Sequence, residues 1–118
     1  MDNRMNTAEY IRSKLIEAYR YARQASEKCY DNLGTGEASD YPLALKNAAL
    51  CTACFSTAAA YLLGTEAEND NTIAILKQFE VVVKEIRTVY HQIKKNTTAL
   101  YIELDYLEKL LISSGFDI

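Results

Sequence analysis

The chain has 118 residues, of which 49% are hydrophobic and 25% charged, enough for one domain spanning 1–118 that needs no disulfide or metal staple. Four glycines and one proline exclude a sandwich or barrel, whose many turns use those residues. No run of 18 apolar residues and no apolar leader after Met1 occur, so neither a membrane span nor a secretory signal is expected and a cytoplasmic address is the default.

The first helix is expected to begin at Asn6 or Thr7. Asn6 and Glu9 have the form of a capping box, with Asn in place of Ser or Thr. Ala8, Ile11, Leu15, Ala18, Ala22, Ala25 and Cys29 follow in alternating steps of three and four, which is one helix face. Gly34 can supply the left-handed cap that ends it. Residues 34–40 read as a loop, and Ser39 or Asp40 can cap the next helix, with Pro42 in its first turn, where no amide hydrogen is needed.

The second helix runs to about Leu63, where Gly64 stops it. Between Leu43 and Leu63 it carries one charge, Lys46. A helix apolar on nearly all sides is buried on nearly all sides, so this element is expected to be central or covered by a partner chain.

After a polar, acidic loop, Asp70 or Asn71 can cap a third helix. One register then persists through Leu76, Phe79, Val83, Ile86, Tyr90, Ile93, Thr97, Leu100, Leu104, Leu107 and Leu111, the spacing of coiled-coil packing. Only Asn96–Thr98 is weak, through low helix propensity. The unbroken phase favours one helix over 72–113, roughly 60 Å long at 1.5 Å per residue. Compactness favours a turn at Asn96–Thr98 and a fourth helix. The phase is given the greater weight here. The fold class in either case is all-α, an antiparallel bundle of three long helices or of four.

Charge is distributed in blocks. Residues 3–30 sum to +3, residues 31–70 to −5, residues 71–97 to +3 and the last 21 to −3. Adjacent blocks of opposite sign steer neighbouring helices together. Nine tyrosines and no tryptophan suit bundle edges and interfaces, since Tyr has an apolar body and a polar tip. Tyr beside Arg and Lys can also stack on single-stranded nucleic acid, but blocks of +3 are modest for that role, and nucleic acid is not the expected partner.

Cys51 and Cys54 form a C-x-x-C pair. A redox pair needs its first Cys at a helix N-terminus, where the dipole lowers the thiol pKa. This pair lies two to three turns inside a helix. A zinc site needs four ligands, and only Cys29 and His91 remain as further soft donors. Hairpin folding leaves both roughly 9–14 Å along the bundle from the pair. The three cysteines are therefore expected to be buried packing thiols, with no metal and no cofactor. A di-iron bundle needs Glu-x-x-His pairs on facing helices, and one His cannot complete two. Phosphate loops and hydrolase motifs do not occur.

Arg87 and His91 share a helix face, with Thr88, Val89 and Tyr90 between them. This resembles the Arg-x4–6-His signature of the HEPN-type nucleases, which are all-helical and dimeric, and Ala48–Leu63 is similar to that family's small-residue helix. The spacing departs from the signature by one residue, and Thr88 alone matches a polar residue that follows the family's Arg. The resemblance implies a ribonuclease or RNA-binding bundle with Arg87 and His91 as its catalytic pair across a two-fold axis. Without it, the two are a surface Arg beside a half-buried His.

With no catalytic constellation favoured, the expected function is a non-enzymatic protein-interaction module that binds a protein partner and self-associates. The expected binding residues are Leu100, Tyr101, Leu104, Leu107 and Leu111, an apolar stripe that a long third helix would leave uncovered.

Overall fold

A computed structural model describes the backbone of residues 7–35, 41–91 and 96–118, and the side chains of 7–29, 42–89 and 96–118. Among these residues the chain forms four α-helices and no strand: α1 (Thr7–Thr35), α2 (Tyr41–Leu62), α3 (Asp70–His91) and α4 (Thr98–Ser113). The bundle is elongated, 54 × 27 × 22 Å.

The long third helix expected from the heptad phase is not present. Helix α3 ends at His91, and Asn96 and Thr97 are not helical. The Asn96 side-chain oxygen accepts a hydrogen bond from the Thr98 amide at 2.8 Å, serving one of the amides that a helix start leaves unpaired. The chain then returns along α3. The fold-back wins because it lets Leu100, Leu104, Leu107 and Leu111 meet the α3 side chains, which no straight helix could do.

Helix boundaries otherwise fall close to expectation. Helix α1 continues through Gly34 to Thr35, whereas Asn6, Ser39 and Asp40, expected as caps, lie outside the described residues. Gly64 takes φ +80° just after α2, as a left-handed helix stop requires. The cap of α3 is Asn69 rather than Asp70 or Asn71. Its side-chain oxygen accepts from the Thr72 amide at 3.0 Å, and the Thr72 hydroxyl accepts from the Asn69 amide at 2.9 Å. That reciprocal pair is a capping box with Thr in the place of Glu.

Helix α4 ends in a Schellman motif. The Gly115 amide donates to Ile112 O and the Phe116 amide to Leu111 O, at 3.0 and 2.9 Å, with Gly115 at φ +87°. This turn aims Phe116 back at the bundle. Arg12 donates to Gly115 O and lies 4.5 Å from the Phe116 ring centroid, a cation–π contact. The C-terminal turn is thereby clasped to the start of α1.

The core runs through Ile11, Leu15, Ala18, Ala22, Ala25 and Cys29 of α1, all buried, the face the periodicity marks apart from exposed Ala8. On α3 the buried set is broader than one stripe: Ile75, Phe79, Val82, Val83, Ile86 and Val89. Leu76, expected inside, is only half-buried. The breadth follows from topology, because α3 touches all three other helices. Phe79 stacks on Phe55 of α2 at a centroid distance of 5.4 Å. Gln78 is buried and donates to Glu103 O of α4 at 2.8 Å, so its burial is matched by a partner.

Helix α2 is not the central element. Among the described residues it packs on α1 and α3 and makes no contact with α4, which lies against α3 and α1. The middle of the bundle is the α1–α3 pair, and α2 and α4 flank it.

Candidate interaction surface

The leucine stripe expected to bind a partner is occupied by the chain itself. Leu100, Leu107 and Leu111 are fully buried and Leu104 is 7% exposed, so the self-docking surface expected there is not free. Tyr101, the fifth residue of that group, is 36% exposed, and its hydroxyl donates to Ser26 O of α1 at 3.2 Å. It fastens α4 to α1 while part of the residue stays exposed.

Arg87 is exposed on α3. With Glu80, Val83 and Lys84 it forms one wall of a groove of about 350 Å³ whose floor includes Thr52 and Phe55 of α2. His91 is the last residue of α3, and its side chain lies outside the described residues. The structure therefore places Arg87 in an open groove.

Neither thiol of the C-x-x-C pair lies in surroundings that favour the thiolate. Burial pushes the Cys51 thiol up to about 12, the opposite of what thiolate chemistry needs. Cys54 departs from the expectation that all three thiols are buried: it is half-buried, and its thiol lies 3.8 Å from the Glu17 carboxylate. Burial, then the Glu17 charge, raises its pKa. Among the described residues no group of three or more His, Cys, Asp or Glu side chains could hold a metal. These environments predict a graded response to a water-soluble maleimide at pH 8. Cys54 is expected to react slowly and Cys29 and Cys51 only on unfolding. Glu17→Gln should accelerate Cys54, because loss of the carboxylate lowers the thiol pKa and raises the thiolate fraction. Equal labelling of all three in the native protein would contradict the burial.

Two surfaces expose large apolar side chains. On α4 they are Ile102, Tyr106 and Ile112, interrupted by the Lys109–Asp105 ion pair at 2.8 Å. On and just after α2 they are Leu43, Tyr61 and Leu63, the last two about half exposed at 51% and 50%. Between them the solvent side of α2 carries Ala49, Ala53, Ser56 and Ala60, all exposed. Lys46 is the one charged residue in the whole of α2. The buried side of the same helix is equally apolar: Ala44, Ala48, Cys51, Phe55, Ala58 and Leu62.

The sequence pointed to this surface through the near-absence of charge in 43–63. It could not say which side of the helix the chain leaves open, since the apolar residues have no preferred face. By length and composition Pro42–Leu62 could also cross a membrane, a test that core helices of bundles pass as well.

Fold and surface together define a small all-α bundle with one flank helix whose outward side carries small, mostly apolar residues and a single charge. No family model, curated protein or solved structure matches the chain.

Proposed function

We propose that the protein is a non-enzymatic helical interaction module that associates with a second copy of itself, and that the docking face is the outward side of α2. One observation carries this reading: α2 has a single charge and is mostly small and apolar, yet α1 and α3 cover one side of it and leave Ala49, Ala53 and Ala60 exposed. Apolar helix surface left in water favours burial by roughly 25 cal/mol per Å², and contiguous patches of it normally have partners. The outward side of α4 is a weaker candidate, because an ion pair crosses it and burying that pair would cost desolvation.

The test is the solution mass by light scattering, with Ala53→Glu as the variant. Ala53 is exposed at the middle of α2, so the substitution leaves the fold intact. A wild-type dimer that Ala53→Glu weakens about tenfold or more, the equivalent of roughly 1.4 kcal/mol, supports the reading. A monomeric wild type at high micromolar concentration ends it.

A ribonuclease or RNA-binding bundle is the second reading. What favours it is the exposed pair Arg87 and Lys84 in the groove beside α2. Its test is RNA binding and cleavage by the wild type against Arg87→Ala and His91→Ala. On the interaction reading, neither change alters cellular activity.

A further inference from the structure

The charges at the two ends of α2 determine how a second copy can lie on it. Lys46 is exposed in the first part of the helix, and Glu66 is exposed just beyond its end. Neither forms an ion pair among the described residues. Glu68, the neighbouring acid, accepts from the Gly64 amide at 2.9 Å and adds its charge to that of Glu66 at this end of the helix.

We infer that two copies dock antiparallel through α2, with Lys46 of each set against Glu66 of the other; this rests on the α2 reading above. In a parallel pair Lys46 would face Lys46, and Glu66 would face Glu66. The antiparallel pair replaces both repulsions with two attractions related by the two-fold axis.

The steric pattern agrees with the charge pattern. Centring the crossing between Cys54 and Phe55 puts Lys46 level with Leu63, at the end of α2 from which the turn carrying Glu66 follows. The same centring sets Ala49 level with Ala60 and Ala53 with Ser56, all four exposed. Every one of those pairs is small, so the two backbones can come close along the seam, at the short end of the 8–10 Å usual for helix pairs. Leu43 and Tyr61 would close one side of the seam, and the wall of the α2–α3 groove the other.

Charge reversal tests the orientation. The dimer dissociation constant is measured by sedimentation for the wild type, Lys46→Glu, Glu66→Lys and the double variant, in low and high salt. Antiparallel docking predicts that each single reversal weakens the dimer about tenfold, since it turns two attractions into two repulsions. The double reversal restores wild-type affinity, and the differences shrink in high salt. A dimer that Ala53→Glu disrupts, but that ignores the single reversals, overturns the orientation and leaves the α2 face standing. A dimer unaffected by Ala53→Glu overturns the face itself. Anionic lipid vesicles are the remaining probe: vesicle binding by a protein that stays monomeric would overturn both.

Discussion

Leu107→Asp is expected to unfold the protein, not to release monomers from an oligomer. Leu107 is fully buried in α4 between the faces of the neighbouring helices. The substitution loses about 1.5–3 kcal/mol of apolar burial. It also places a carboxylate in the apolar core, and an unpaired buried charge costs several kcal/mol more unless it takes up a proton. Domains of this size have roughly 5–15 kcal/mol of stability in total. Circular dichroism should therefore show loss of helix, or a melting temperature lowered by about 15 °C or more. Ile102→Asp is the control on the same helix. Ile102 is 60% exposed, and its replacement is expected to change stability by no more than about 0.5 kcal/mol. If instead Leu107→Asp melted like the wild type, the stripe would face outwards and α4 would not fold back along α3.

This contrast marks where the sequence was legible. The four leucines of α4 were readable as one face, because Leu100, Leu104, Leu107 and Leu111 keep the helical period. What covers them was not readable. The phase continues from Leu76 across Asn96–Thr98 without a slip, and a seven-residue period carries no information about a reversal of direction. The reversal is carried by local chemistry, the Asn96 side chain on the Thr98 amide, and by the size of the buried face that α3 can offer. The α3 face itself was read as too narrow for a related reason. A single stripe describes a helix with one neighbour, whereas Val82 and Val89 are buried on a helix with three. The start of α3 was misplaced by one or two residues because Asn69, Asp70 and Asn71 are all competent caps. Only the partner three positions on, Thr72, distinguishes Asn69.

Helix α2 shows the opposite case. Its composition sets it apart from the other helices, and the structure leaves part of that apolar surface uncovered. Its direction was invisible, since a helix apolar all round has no face to point with. Arg87 and His91 show how little a four-residue spacing decides. The spacing put both on one side of α3, but a catalytic reading needs something for them to act on together. Arg87 opens into the α2–α3 groove, with Lys84 and Glu80 as its neighbours there.

Ala22→Leu is expected to cost about 1–3 kcal/mol, lowering the melting temperature by about 5–15 °C. Ala22 has no exposed surface, and Ala18 and Ala25 beside it have none either. Facing them on α2 are Ala44, Ala48 and Cys51, all buried as well. Small side chains on both helices allow α1 and α2 to bring more of their backbones together than any other pair in the bundle. Close backbones leave no room for a longer side chain. Three added heavy atoms at Ala22 must either force an off-rotamer conformation or push α2 outward along its length. The second response would also disturb the Phe55–Phe79 stack between α2 and α3, because α2 is the shared wall of both contacts. The substitution adds apolar area, so a hydrophobicity argument alone predicts stabilisation. Packing density predicts the reverse, and in a seam this close it dominates. Thermal unfolding of Ala22→Leu beside Ala99→Leu separates the two arguments. Ala99 is exposed in the first turn of α4, and Leu there is expected to be close to neutral. An Ala22→Leu protein as stable as the wild type would mean that the α1–α2 seam holds space for a leucine, and that the small residues on its two sides are not what sets the distance between the helices.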